Sequence, residues 1–115
     1  MAKNNIPKNT PNRATARKRV LFPGTIVHGQ GIYTCDCLLR DISPEGARIV
    51  VKGHPQIPEC FFLINIKEGV AHDARRMWSK GQEIGVKFES VIPLGSNTDI
   101  AFRKLTELWL AKLPR

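Results

Sequence analysis

Three residues with polar or backbone chemistry lie close together between two apolar runs of the chain. Asp41, Ser43 and Gly46 all fall within the six-residue segment 41–46. The residues on both sides of this segment favour strands, and a Ser-Pro pair followed by Gly is typical of a turn. The corner between the two strands therefore offers a carboxylate acceptor, a hydroxyl and a place where a ligand can approach bare backbone. This combination indicates a recognition site rather than a catalytic one.

The same three residues also have a purely structural interpretation. Asp41 and Ser43 are common in turns because their side chains bond to nearby backbone, and Gly46 could occupy a position of positive φ. The corner taken alone leaves the recognition and structural interpretations open.

The cations of the chain are concentrated at its N-terminal end. The formal net charge is +8, and no Asp or Glu precedes Asp36. The cations that do precede it are Lys3, Lys8, Arg13, Arg17, Lys18 and Arg19. We expect such a basic end either to bind an anionic partner, such as nucleic acid, nucleotide phosphate or a membrane surface, or to be a solvated leader.

Metal binding and catalysis have little support in the sequence. The three cysteines, Cys35, Cys37 and Cys60, lack the CxxC and His-x3-His spacings that arrange a zinc site. We therefore expect reduced thiols that act as small buried hydrophobic residues. Because no paired acid and base and no nucleophile motif is recognisable, we expect neither an enzyme nor a bound cofactor or metal.

The elements that must position the corner are predicted from the apolar pattern. Alternation and turn signals predict six strands, and Ile84, Val86 and Phe88 give the last of them its period of two. The Pro23-Gly24 pair implies an edge, a bulge or a bend in the first strand. The expected strands are 19–27, 32–41, 47–52, 60–67, 70–78 and 83–89.

A helix is expected after the last strand. Residues 96–99 supply helix-cap side chains, and apolar residues recur at helical spacing until Pro114. The apolar face is expected to cover the sheet, although a dimer interface could use it. Trp78 and Trp109 are expected in the core or in helix packing rather than as base-stacking platforms. Six strands and one helix indicate an antiparallel barrel capped by the helix.

The 115 residues are therefore expected to form one domain with three parts. These are a flexible basic arm over 1–18, a barrel over 19–92 and a C-terminal helix over 96–113. No apolar run reaches the ~20 residues of a membrane span, and the first twenty residues lack an apolar signal core. We therefore expect a cytoplasmic protein with no membrane span.

Taken together, the motifs resemble those of the PilZ domain family. Arg13 and Arg17 stand four apart just before the first strand, and the Asp-x-Ser-x-x-Gly corner follows between two strands. Segment 77–88 is similar to the closing hairpin of that family, so the resemblance spans about residues 13–90. It implies a six-stranded antiparallel barrel that binds cyclic di-GMP, a bacterial second messenger, and passes the signal to a downstream protein.

The resemblance also implies a ligand site. The residues expected to bind cyclic di-GMP are Arg13, Arg17, Lys18, Arg19, Asp41, Ser43 and Gly46. Guanidinium groups can pair with phosphate oxygens or the guanine O6/N7 edge, and a carboxylate can accept from guanine N1 and N2. Many family members carry two adjacent arginines where this chain has Arg13 and Ala14. Lys18 and Arg19 could compensate as phosphate contacts.

Two other functions stay open at this point. Some family members act as protein-interaction modules without a nucleotide, and a barrel with a basic arm could hold a nucleic-acid backbone. We expect cyclic di-GMP and an unidentified downstream protein as partners, no nucleic acid, and a monomer or weak dimer. Arg48, Arg75 and Arg76 are expected to be solvated charges on the outer face that could equally line the ligand surface.

Overall fold

The computed structural model describes residues 18–53, 55–96 and 99–114, which form six strands and a C-terminal helix. The strands are β1 Lys18–His28, β2 Tyr33–Ser43, β3 Gly46–Val50, β4 Cys60–Asn65, β5 Val70–Lys80 and β6 Glu83–Pro93. A 3₁₀ turn, Ile100–Phe102, leads into helix α1, Arg103–Lys112. The expected arm lies outside the described residues except for Lys18.

The strands close into an antiparallel barrel in the order β1-β2-β3-β6-β5-β4. Antiparallel pairing of β1 with β4 completes the ring. The predicted six-stranded barrel with a C-terminal helix is confirmed. The last two strands extend past the predicted ends, because β5 and β6 pair along their length from Val70–Pro93 to Lys80–Glu83.

The barrel interior is filled by the alternate, inward-facing residues of the strands. Ile26, Leu39, Ile49 and Leu63 are 0% exposed there. Burying a side chain of this size contributes about 1.5–3 kcal/mol relative to leaving it exposed. The interior therefore holds the strands in register, since a slip of one residue would turn these side chains outward.

The Pro23-Gly24 pair lies within a continuous β1 and does not interrupt it. The register shift in that strand falls earlier, between Arg19 and Phe22. A Cβ on Gly24 would overlap the Leu39 side chain, so glycine is needed for close packing at this point. The sequence predicted an edge, a bulge or a bend at this pair, and the structure has an irregularity of register a few residues earlier in β1.

Helix α1 covers the opposite face of β4 and its neighbouring strands. Leu105 is buried against an apolar layer made by Val27, Ile64, Ile66, Ala71, Ile92 and Leu94. Trp109 packs over Gly69, and its Nε1 donates to the Ile66 carbonyl at 2.9 Å. The predicted roles of the helix as a cover for the sheet and of Trp109 as a packing residue are confirmed.

The helical segment begins later than predicted. Asp99 caps the 3₁₀ turn, and its side chain accepts from the Ala101 N–H at 2.9 Å. A capping residue itself keeps an extended backbone, so the helical segment starts only after Asp99. Of the other expected cap residues, 97 and 98 lie outside the described part of the chain.

The three cysteines occupy different environments. Cys37 is buried in the barrel interior, where burial raises the pKa of its thiol to about 12, and Cys35 is partly buried beside the same core. Cys60 is exposed, so the prediction of a buried role is wrong for it. The reason is its register: Cys60 starts β4 opposite Arg75, whose side chain is half-exposed.

Two further properties concern only the described residues. Across residues 18–53, 55–96 and 99–114, no helix is both long and apolar enough to cross a membrane. Within the same ranges, no group of three His, Cys, Asp or Glu side chains is placed to hold a metal ion.

Candidate functional site

The corner predicted from the sequence is the hairpin between β2 and β3. Ser43 and Gly46 are the closing pair of this hairpin, and Pro44 and Glu45 form its turn. The Ser43 Oγ accepts from the Glu45 N–H at 3.3 Å and donates to the Gly46 carbonyl at 3.4 Å. Ser43 therefore shapes the turn that carries it, and it presents its hydroxyl at a partly buried position.

Gly46 is required by the approach of β6, not by its own φ angle. The described residues with positive φ are Gly29, Gln30, Gly31, Gly53, Gly69 and Gly81, and Gly46 is not among them. A Cβ on Gly46 would overlap the Val86 carbonyl oxygen. The Phe88 N–H also donates to the Glu45 carbonyl at 2.8 Å. The positive-φ explanation of this glycine is therefore wrong, and the turn is held directly against β6.

Asp41 is held by an arginine that sequence reasoning had not assigned to it. The Arg48 Nε donates to Asp41 Oδ2 at 2.8 Å, and Arg48 Nη1 lies 3.1 Å from Glu83 Oε2. The hydrogen bond to Asp41 is the main reason that the pKa of Arg48 is raised. The two side chains of the Asp41–Arg48 pair are 16% and 25% exposed. The pair therefore presents a fixed acceptor beside a fixed donor at the barrel surface.

Cross-strand pairing places two rows of side chains on the same outward face. In one row, Arg19 pairs with Asp41, Asp41 with Arg48, and Arg48 with Gly85, which pairs with Trp78. In the next row, Ser43, Gly46, Lys87 and Arg75 are neighbours in turn. Directly paired residues have Cβ atoms about 4.5–5.5 Å apart. We call the surface formed by these two rows the outward face.

Trp78 is the aromatic residue of the outward face. Its indole ring lies over Gly85, where a Cβ would overlap the ring, and the residue is 44% exposed. The prediction that Trp78 belongs to the core or to helix packing is therefore wrong. The register shift between Arg76 and Trp78 turns the indole outward. Gly85 occupies an outward position of β6, where the alternating pattern would otherwise place a side chain. A glycine at that position is the sequence feature that could have indicated a neighbouring side chain lying across β6.

The other expected ligand residues are distributed as follows. Arg19 is exposed and pairs with Asp41 on the outward face, whereas Lys18 pairs with Ile42 and lines a cavity together with Phe22 and Ser43. Arg13 and Arg17 lie outside the described residues. The structure thus brings together Arg19, Asp41, Ser43 and Gly46. The residues that sequence reasoning left out of the predicted ligand set are Arg48, Trp78, Lys87 and Arg75.

The two remaining arginines named from the sequence differ in their surroundings. Arg75 is half-exposed on the outward face, with its Nε 3.2 Å from Glu89 Oε2. Arg76 donates from Nη1 to the Ile57 carbonyl at 2.6 Å. Arg75 is therefore a surface charge, as expected, whereas Arg76 fastens the loop before β4.

The described residues form a small closed barrel that carries a guanidinium, a carboxylate and an indole on one face. The family model described as PilZ domain matches residues 11–102. Because the match covers most of the chain, this protein belongs to the PilZ domain family. The match includes the Arg13 and Arg17 motif and ends before α1. Proteins of this family are generally ligand-binding or effector modules and not enzymes. A search of curated proteins finds no match to the chain.

Proposed function

We propose that this protein is a receptor for cyclic di-GMP and that it binds the nucleotide on the outward face. The observation that carries the proposal is the Asp41–Arg48 pair beside the Ser43–Gly46 turn, in a chain that belongs to the PilZ family. The bound state would be relayed to a downstream protein, as the family membership suggests.

The Asp41–Arg48 pair suits the hydrogen-bonding edges of guanine. Guanine presents N1 and N2 as donors and O6 and N7 as acceptors. A carboxylate accepts on both oxygens and a guanidinium carries five N–H donors, so the two side chains together match both edges. Arg48 Nε donates to Asp41 Oδ2 at 2.8 Å, and Arg48 Nη1 lies 3.1 Å from Glu83 Oε2.

The phosphates of cyclic di-GMP would be met by the cations around the pair. Arg19, Lys87 and Arg75 belong to the outward face, and Arg13 and Arg17 precede β1 within the region that matches the family. Bonds between guanidinium and phosphate are charge-assisted and frequently bidentate. The two anions of the ligand therefore have cationic partners on either side of Asp41.

Trp78 offers a stacking surface for a base. Its ring is partly exposed and is supported from below by Gly85. Stacking of a base on an aromatic side chain contributes about 1–3 kcal/mol by alanine substitution. Trp78 is therefore proposed to hold one guanine face while the Asp41–Arg48 pair reads an edge.

Two observations favour a second candidate, an interaction module that binds a protein without nucleotide. Asp41 is already engaged by Arg48, and Ala14 stands where many family members have an arginine. A calorimetric titration decides between the two functions. The receptor should bind cyclic di-GMP saturably and cyclic di-AMP much more weakly, because adenine lacks the N1 and N2 donor pair. Absence of heat with both nucleotides would favour the interaction module.

A nucleic-acid function is tested in the same series. A protein that grips a phosphate backbone should bind a single-stranded oligonucleotide with a steep dependence on salt. The receptor should instead prefer cyclic di-GMP over an oligonucleotide of equal phosphate concentration at every salt concentration.

A further inference from the structure

A cleft lies where the start of α1 and the β1–β2 turn meet the outer surface of β4. Its volume is about 540 Å³, and small-molecule sites occupy roughly 300–1,000 Å³. None of its described lining residues belongs to the outward face or to the residues expected to bind cyclic di-GMP. We call it the helix cleft, and the lining residues that matter for its chemistry are Val27, Gly31, Phe62, Asp73, Lys104 and Leu105.

The floor of the helix cleft is apolar and belongs to the layer that α1 covers. Val27 and Leu105 are 1% and 5% exposed, and Phe62 packs against the same layer. Val27 of β1 pairs with Phe62 of β4, and Phe62 pairs with Asp73 of β5. Because directly paired residues lie on the same face of a sheet, the three side chains stand side by side on three neighbouring strands. A ligand in the cleft would therefore rest on apolar side chains, with a carboxylate at one side.

The helix cleft carries one charge of each sign, on opposite walls. Asp73 is half-buried and lies two strands from Val27, which is about 9–10 Å across the sheet. Lys104 is on the other side, because its aliphatic stem lies over Gly31 in the turn that leads from β1 to β2. Within residues 18–53, 55–96 and 99–114, neither charged side chain belongs to an ion pair. Both charges are therefore available to a ligand.

We propose that the helix cleft binds a short zwitterionic peptide made of two apolar residues. Its terminal ammonium pairs with Asp73 and its terminal carboxylate with Lys104, while its side chains lie on the apolar floor. An extended dipeptide spans about 7 Å, so the two charged side chains can reach its two ends. A neutral ligand, or one with a single charge, would leave at least one wall without a partner, whereas a zwitterion is complementary to both.

The test titrates leucyl-phenylalanine into the full chain by calorimetry. Cyclic di-GMP is left out, so that the outcome does not depend on the proposed receptor function. N-acetyl-leucyl-phenylalanine lacks the ammonium charge, and leucyl-phenylalanine amide lacks the carboxylate charge. We expect saturable binding of the free dipeptide and about tenfold weaker binding of each blocked form, because each blocked form loses one charge-assisted bond.

Two variants assign each end of the peptide to its partner. Asp73→Asn should bind the free dipeptide about tenfold more weakly and should bind the N-acetyl form within about threefold of the free one, while it still disfavours the amide. Lys104→Gln should show the mirror pattern. The controls Glu107→Gln and Arg103→Gln remove exposed charges of α1 that do not line the cleft, so they should leave all three affinities unchanged.

A measurement on the unaltered chain locates the peptide without any variant. Saturation with the free dipeptide should shift the NMR signals of the Phe62 ring and the Gly31 amide. Absence of both heat and signal shifts at millimolar peptide would overturn the proposal, as would equal losses from Arg103→Gln and Lys104→Gln. Equal affinities for the free and blocked forms would reduce the cleft to an apolar groove. An N-acetyl form that binds as tightly as the free dipeptide would also overturn the proposal, in favour of the carboxyl end of a longer chain.

Discussion

Replacement of Asp41 by alanine is the most informative change to the outward face. It removes the carboxylate that is proposed to accept from guanine N1 and N2. It also removes the 2.8 Å hydrogen bond between Asp41 and Arg48, whose guanidinium keeps Glu83 as a partner at 3.1 Å. The arginine therefore stays tethered at one end, and the variant tests the carboxylate more than the position of Arg48.

Two effects of the substitution oppose each other. Loss of a charged acceptor for buried ligand donors costs about 1.5–3 kcal/mol. Release of Arg48 toward the phosphates gives an opposite contribution, but a partly exposed ion pair is worth only about 0–1 kcal/mol. The loss is the larger effect. We therefore expect Asp41→Ala to bind cyclic di-GMP at least about tenfold more weakly, which corresponds to about 1.4 kcal/mol.

The assay is isothermal titration calorimetry at fixed salt with cyclic di-GMP and cyclic di-AMP. Asp36→Ala is the matched control, because Asp36 lies on the same strand and is also ion-paired, to Lys112 at 2.9 Å. It should bind like the natural chain. The double variant with Arg48→Ala measures how far the two side chains act together on the ligand.

One result would refute this reasoning. Unchanged or tighter binding of cyclic di-GMP by Asp41→Ala would mean that the carboxylate only positions Arg48 within the hairpin. A basic surface that attracts phosphates without reading guanine would then explain the charge distribution better, since a carboxylate repels phosphate.

Four further predictions concern other parts of the protein. Arg17→Ala, and likewise Arg13→Ala, should weaken cyclic di-GMP binding ten- to a hundredfold, or about 1.5–3 kcal/mol, in calorimetry. Trp78→Ala should cost about 1–3 kcal/mol of binding free energy through lost base stacking, measured in the same way. Gly46→Ala should lower the free energy of unfolding in urea by about 1–3 kcal/mol, because its Cβ would overlap the Val86 carbonyl oxygen. Burial lowers the pKa of His72 from 6.5 in the unfolded chain to about 4 in the folded one. As the pH falls from 6.5 to about 4, the unfolded chain therefore takes up a proton that the folded chain does not, and the free energy of unfolding should fall by up to about 3 kcal/mol.

Each of these predictions has a control on the same chain. Lys3→Ala should leave the affinity for cyclic di-GMP nearly unchanged. Equal, small losses of affinity for this variant and the two arginine variants would indicate non-specific attraction. Trp109→Phe alters helix packing and should leave affinity unchanged. Gly95→Ala meets only ordinary contacts and should be close to neutral in urea. His72→Phe should lack the pH-dependent component, and an unchanged pH profile would contradict the assignment of that component to His72.

The fold could be predicted because its signals are local. Alternating apolar residues mark each strand, and glycine-rich turns such as Gly29–Gly31, which adopts positive φ, separate them. The helix was recognisable from apolar spacing, but its start depended on the choice of Asp99 as the cap among several suitable residues. The ends of β5 and β6 were underestimated because pairing between long strands continues where the apolar alternation stops.

The candidate site could be predicted only in part. Asp41, Ser43 and Gly46 lie within six residues of one hairpin, so their proximity followed from the sequence. Arg48 was visible as a charge, but its pairing with Asp41 required the register of β2 against β3. The outward position of Trp78 depended on a register shift in β5, and the exposure of Cys60 depended on its pairing with Arg75.

By itself, the sequence determined the strands, the turn that carries the Asp-x-Ser-x-x-Gly motif and the basic end of the chain. These features depend on backbone preferences and charges of neighbouring residues, which are properties of short segments. Only the tertiary structure decided that Arg48, Gly85 and Trp78 continue the row that starts at Arg19 and Asp41, and that His72 is buried against Phe88. The physical reason is that the register of a closed barrel is set by hydrogen bonds between distant strands, and a shift of one residue moves every side chain to the other face.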